Sequence, residues 1–387
     1  FFVGVLGCAL WTHLLLLVRI PVNGLTVGLG AVALGACGRW RCLKEADWSR
    51  PPDAFALLVG AAGFLLWGAW AYPLIGADAA VFYALKAKSI VVHGGFWNED
   101  FLDPDRLHLA HRRPLLLPSI YANLFLATGS SDSRALRVWF TLLQLGALGG
   151  VYDLLRERTG RTESAVAVGL LAWCPVWWAD AGGAASGYAD GAFGMAVLFS
   201  LLAEPPLAVF HLAAGVLLKD EGIAFLIPFA LARGVRRAAF PALLAAVWLW
   251  VSRGLPRDAD YLPANFLHVH LGSLPGIAWA IGSNLLATKF WGLLWYAILG
   301  VAILRARALR REDARLLGPL ALQLVLYVGV WSTFDPDQVG GYLKVEVRRL
   351  LSHFLPTAWV WAVGRAGLSP ATDPTRVPAA AGGRTDS

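Results

Sequence analysis

The chain predicts an all-α, polytopic membrane protein, and three observations carry that prediction. Hydrophobic residues make up 57% of the 387 residues and charged residues 15%, against roughly 25% charged in an ordinary soluble domain. Apolar runs of helical length recur along the sequence, separated by short polar breaks. Arginines gather in alternate breaks, the pattern expected of a chain that crosses a bilayer repeatedly.

Taken in order, the runs place spans at 1–18, 22–37, 53–72, 133–154, 164–180, 190–203, 205–218, 222–234, 239–252, 280–304, 316–333 and 349–366, about twelve transmembrane helices in all. Several are short and need tilting or pairing to cross. Residues 1–52 read as an extra N-terminal transmembrane pair with its cytoplasmic loop. Residues 53–366 read as one transmembrane domain whose first large outer loop is 73–132. Phe1 is not an initiator Met and its apolar run leads directly into another, so a cleavable signal is not expected and the true start is expected upstream. The tail 367–387, rich in Pro, Ala, Gly, Ser and Thr, reads as a disordered cytoplasmic extension.

Orientation follows from four basic loops. Arg39, Arg41, Lys44 and Arg50 lie in one and Arg156, Arg158 and Arg161 in a second. Arg233, Arg236 and Arg237 lie in a third, and Arg305, Arg307, Arg310, Arg311 and Arg315 in a fourth. The span order puts all four on one side, which the positive-inside rule names cytoplasmic. The net charge of +7 therefore reports topology and contact with anionic lipid, and no nucleic-acid partner is expected. Cys8 and Cys174 sit in apolar runs and Cys37 and Cys42 flank a cytoplasmic loop, so neither a disulfide nor a metal-ligand spacing emerges.

The outer side carries the chemistry. A hydrophilic island from Gly76 to Arg113 contains Asp78, Tyr83, Lys86, Lys88, His93, Glu99, Asp100, His108 and His111. Short interfacial helices are expected there, one of them bringing Asp78 and Lys86, eight residues apart, near one face; the structural alternative is a solvated helix capped by Asp78. His108 and His111 lack a carboxylate at a matching offset and are flanked by Arg112 and Arg113, so a zinc site is not expected. Those arginines suit a phosphate or lipid headgroups. The apolar run Leu115 to Ile120 is expected to dip back into the membrane. Tyr188 and Asp190 open a span, where a carboxylate either caps the helix or acts in a site. Lys219, Asp220 and Glu221 form an outer turn that barely leaves the membrane, a costly place for three charges unless they pair or bind. Arg348 and Arg349 enter the last span beside Glu346, with Pro356 deeper. Arginine at a helix start opposes the dipole and invites an anion.

In their order along the chain these clusters resemble the GT-C superfamily of membrane glycosyltransferases, specifically bacterial relatives of the protein O-mannosyltransferases and the lipid A aminoarabinose transferase. The resemblance covers roughly residues 55–365. It rests on Asp78 after a span, the stretches Tyr83 to Lys88 and His93 to Gly95, the His-x-x-Pro-Leu-Leu-Leu-Pro run from His111 to Pro118, Ala185 to Asp190, the turn Lys219 to Gly222, and Arg348 to Leu351 with Pro356. Many members place two acidic residues together in the first loop, whereas Asp78 is followed by Ala79, so Asp190, Asp220 and Glu221 become candidates for a second carboxylate.

The resemblance implies transfer of a sugar from a polyprenyl-phosphate donor to a hydroxyl or amine of a lipid, glycan or protein, with inversion. It implies an outward-facing site in a bacterial inner membrane and neither a cofactor nor an essential metal. Asp78 would be the general base, with Asp190 and Glu221 as further catalytic candidates. Tyr83, Lys86, His111, Arg113, Tyr188, Lys219, Arg348 and Arg349 would bind substrate. The alternative is a transporter or flippase of lipid-linked sugar, which would place ionisable groups mid-helix; Lys289 is the residue that fits that pattern. An intramembrane hydrolase is disfavoured, because Ser186 lacks a Gly-x-Ser-x-Gly elbow and no His-Glu-x-x-His occurs.

Overall fold

The computed structural model describes residues 2–42, 62–63, 66, 79–109, 112–131, 133–177, 188–256, 268–334 and 336–366. Within them every regular element is a helix. Three helices, Ala135–Arg156, Val235–Gly254 and Arg311–Trp331, are long and apolar enough to cross a membrane. The predicted span 53–72, the tail 367–387, Asp78 and His111 fall almost wholly outside the described residues.

The first helices are α1 (Phe2–Leu17) and α2 (Gly24–Cys42). The hydrophilic island then folds as a single π-helical turn, Ala79–Ala84, running into α3 (Leu85–His93), which ends at Gly94 with φ of +69°. Asn98 caps the next turn by accepting from the Phe101 N–H. Several island charges satisfy one another: Asp100 accepts from Ser89 at 2.8 Å, lies 3.5 Å from His93 and pairs with Arg106. The run expected to dip into the membrane is α4 (Leu116–Thr128), whose face is buried against α1 and α3.

After α5 (Ser133–Arg156) comes α6 (Arg161–Ala172), shorter than the predicted span 164–180. Pro175 lacks an N–H and disfavours helix at Cys174, so the chain leaves the α-helix and makes a 3₁₀ turn at Pro175–Trp177. Four helices then run back and forth: α7 (Ala189–Leu202), α8 (Pro205–Leu218), α9 (Asp220–Arg233) and α10 (Val235–Val251). The predicted span 280–304 is not one helix. Helix α11 (Leu274–Leu285) and α12 (Leu294–Arg305) are separated by a short turn and by Gly292, whose φ of +56° and ψ of −129° suit glycine alone. Helix α13 (Arg311–Trp331) and the 30-residue α14 (Pro336–Arg365) complete the bundle, the latter beginning well before the predicted 349.

Helix α7 packs between α8 and α14, and α9 packs on α8, α10 and α13. Glycine sets two of these approaches. A Cβ on Gly194 would sit 2.9 Å from the Ser352 carbonyl oxygen of α14, and one on Gly222 would collide with the Gly215 carbonyl of α8. Of the four basic loops, the third and fourth meet at one end of the bundle, while Lys44 and Arg50 of the first lie outside the described residues. Arg233, Arg236 and Arg237, between α9 and α10, share a cavity with Arg315 of α13, and Thr162 and Glu163 of α6 share a groove with Ala366 beyond α14.

Candidate active site

At the opposite end of these helices a carboxylate is buried in the protein. Asp190 lies in the first turn of α7 with no exposed surface. Its Oδ1 accepts from Lys219 Nζ at 2.7 Å and from His353 Nε2 at 2.8 Å, and its Oδ2 from Arg349 Nε at 3.3 Å. A charge without water survives only where it is paired and hydrogen-bonded, and here one carboxylate holds together three helices. Lys219 is the single residue between α8 and α9, in extended conformation, so its side chain can turn back toward α7. Arg349 and His353 are four apart on α14 and share the face that the small Gly194 lets come close.

Each cation also looks outward. Lys219 pairs with Glu221 at 2.9 Å and Arg349 with Glu346 at 2.9 Å, and these glutamates are 24% and 30% exposed where Asp190 is fully buried. The Arg349 guanidinium lies 4.8 Å from the centre of the Tyr188 ring. The Asp190 carboxylate only accepts, so His353 Nε2 carries the proton toward it, and in the neutral ring Nδ1, 3.1 Å from the Tyr327 hydroxyl, accepts from that hydroxyl. Gln323 of α13 donates to the Glu221 carbonyl at 3.2 Å, tying the turn to the neighbouring helix.

Above this network lies a cavity of about 260 Å³. Lys219, Asp220, Glu221, Glu346 and Arg349 line it together with Arg113, Tyr83 and Tyr327, while Leu326, Val330, Trp331 and Phe334 form an apolar flank. The turn 219–221 lies outside the apolar spans, and its charges respond to their surroundings. Burial and then the adjacent Glu221 push the Asp220 carboxyl up to about 6, against the pull of Arg113, Lys219 and Lys86. For Glu221 burial is outweighed by Lys219, which holds it below the usual carboxylate range. Asp220 faces the cavity without an ion pair among the described residues.

No family model, curated protein or solved structure matches this chain. The reading therefore rests on the residues themselves. Of those singled out from sequence, Asp190, Glu221, Tyr188, Lys219 and Arg349 converge on the network, and Tyr83 and Arg113 line the cavity. Lys86 is fully buried on α3, within electrostatic reach of Asp220. Arg112 is elsewhere engaged, donating to the Leu255 and Arg253 carbonyls. Arg348 lies over the Phe290 ring at 4.1 Å, so of the adjacent arginines only Arg349 reaches Asp190. Sequence reasoning missed His353 and Tyr327. A histidine inside an apolar span, four residues after an arginine, was the available signal. Asp78 and His111 lie outside the described residues, although the turn that lines the cavity with Tyr83 begins at Ala79, directly after Asp78.

Proposed function

We propose that this protein is a GT-C-type glycosyltransferase of a bacterial inner membrane that moves a sugar from a polyprenyl-phosphate donor to an acceptor hydroxyl or amine at the outer face. The observation that supports this reading best is the cavity itself, where cations held by a buried carboxylate stand beside an apolar flank at one end of the bundle. A lipid phosphate needs that combination: fixed positive charge for the phosphate and apolar surface for the chain.

Helix length adds depth to the argument. Helices α7, α8 and α9 have 14 residues each, a rise of roughly 21 Å, about 9 Å less than a hydrocarbon core of roughly 30 Å. Tilt does not lengthen a helix, so the bilayer thins locally to bring the Lys219 turn to its interface. A headgroup enters such a site sideways from the bilayer.

In the reaction the acceptor oxygen or nitrogen forms a bond to the anomeric carbon, its proton passes to a carboxylate, and the bond from that carbon to the phosphate oxygen breaks. The electron pair leaves on the polyprenyl phosphate, whose charge Lys219, Arg349 and Arg113 stabilise. Lys219 and Arg349 stay positioned because Asp190 holds them from behind. The resemblance assigns the base to Asp78; the cavity offers Asp220, whose carboxyl burial and Glu221 push up to about 6. Mass spectrometry of lipid extracts from cells with and without the protein tests the reading. Loss of the protein is expected to leave a polyprenyl-phosphate sugar accumulated beside an unmodified acceptor, and unchanged lipid-linked sugar would remove it.

A further inference from the structure

At the end of the bundle remote from Asp190 there is a second built site, and its charge is of one sign. A cavity of about 490 Å³ is lined by Ala232, Arg233, Gly234, Val235, Arg236, Arg237 and Arg315. The positive-inside rule requires arginines in loops, but it does not require them to converge on one hollow from positions about eighty residues apart in sequence. Here the convergence is imposed by the backbone. Gly234, with φ of +98° and ψ of 142°, is the only residue between α9 and α10, so Arg233 at the end of one helix meets Arg236 and Arg237 in the first turn of the next. Helix α13 then brings Arg315 alongside.

Three further features point to a ligand. Arg233 spends one N–H on the Ala203 carbonyl at 2.9 Å, yet its buried Nε has no hydrogen-bond partner among the described residues. The charged groups acting on Arg233 are Arg237 and Arg315, both repulsive, with Glu204 the single acidic one. The hollow also receives the N-terminus of α10, a 17-residue helix with no side chain capping it; the Arg237 N–H bonds the Gly234 carbonyl, and the remaining first-turn N–H groups with the helix dipole favour an anion. The surroundings decide what kind of anion. Leu231 and Val235 are 75% and 74% exposed and Phe240 and Ile227 are more than half exposed, so apolar surface begins at the rim of the cationic hollow.

We propose that this hollow binds a phosphate group, and that the phosphate is the headgroup of an anionic phospholipid in the leaflet beside it. Guanidinium groups from two helix ends grip the phosphate oxygens, the N–H groups of α10 cap it, and the acyl chains lie on Leu231, Val235 and Phe240. The site stands independently of the chemistry proposed at the other end.

Native mass spectrometry of the full chain released from phosphatidylcholine nanodiscs doped with phosphatidylglycerol or cardiolipin tests it. The anionic lipid is expected to be retained roughly tenfold or more over phosphatidylcholine. Arg233→Gln with Arg315→Gln should abolish that preference, and so should Arg236→Gln with Arg237→Gln, two exposed positions whose loss leaves the packing intact. Arg305→Gln with Arg307→Gln removes the same charge from the same end, outside the hollow, and should retain the lipid. Equal loss in the Arg305 and Arg307 variant would reduce the effect to diffuse charge and overturn the site, as would retention in both of the others. A thermal shift given by inorganic pyrophosphate, abolished by the same two double substitutions but unaccompanied by lipid retention, would overturn the lipid and assign the hollow to a soluble phosphate.

Discussion

Two buried aspartates, one near each end of α13 and α14, show how differently a membrane bundle uses a carboxylate. Asp313, 4% exposed, accepts from Arg365 through two nitrogens at 2.6 and 2.8 Å, from Trp361 at 2.8 Å and from the Arg310 N–H at 2.6 Å. One cation meets one anion, every oxygen is occupied, and the result is a clamp holding α13 to α14. Asp190 instead meets two permanent cations and a histidine, and those cations face a cavity on their other side. A clamp closes its own valences, whereas the Asp190 network shares its cations with Glu221 and Glu346, which open onto the cavity.

The comparison is open to direct tests. The largest expected effect is on stability: Asp190→Asn removes the one fully buried anion between Lys219 and Arg349, leaving them only the partly exposed Glu221 and Glu346, and should cost about 3–5 kcal/mol, read as a lowered unfolding midpoint of the protein in detergent. Asp313→Asn retains acceptors for Trp361 and for one arm of Arg365, and should cost about 1–3 kcal/mol. Equal losses would erase the distinction between clamp and site.

Turnover should separate them next. With purified protein, radiolabelled polyprenyl-phosphate mannose and separate readouts of donor retention and product, substitution of the true base by Asn should lower transfer by roughly 10²-fold while donor stays bound. Asp78→Asn and Asp220→Asn are the two arms, and Asp313→Asn, after correction for folded protein, should turn over normally. Lys219→Ala and Arg349→Ala should instead weaken donor retention. Liposomes in which the lipid crosses without cleavage of its sugar phosphate bond would favour a flippase.

A smaller effect concerns pH. A base works only when deprotonated, so if Asp220 takes the proton the rate should rise as pH increases through about 6 and level off above it. The Asp220→Asn variant should lose that step, and its survival there would return the role to Asp78. Smallest of all is Tyr327→Phe, which removes one hydrogen bond from His353 and should cost about 1 kcal/mol. The same change at a tyrosine remote from both aspartates, Tyr296, gives the baseline.

Much of this was readable before any coordinates, for a physical reason. Charges are so expensive in apolar segments that Asp190, Lys219 and Glu221 stand out unaided, and helical character follows from the same composition. What the sequence concealed was direction. Arg348 and Arg349 are neighbours on a helix whose faces are polar and apolar by turns, and only the packing against Gly194 shows which one points at Asp190. Asp313 was hidden among basic residues because its partner Arg365 is 52 positions away. The break between α11 and α12 lies in a mostly apolar run, where Ser283, Asn284, Thr288 and Lys289 together with Gly292 were the local marks.

From α7 to α10 the chain reverses three times, on Ala203 and Glu204, on Lys219, and on Gly234. These four helices therefore share almost no spare chain. Each reversal takes one or two residues, so neighbouring helices have no freedom to separate. Because α8 and α9 are joined by Lys219 alone, they enter the fold as one hairpin, whose tip brings Lys219 with Glu221 beside it against Asp190 at the start of α7. The charged centre is thus assembled by chain connection as much as by charge, and a loop spliced in at Lys219 would loosen the carboxylate network before it touched the cavity.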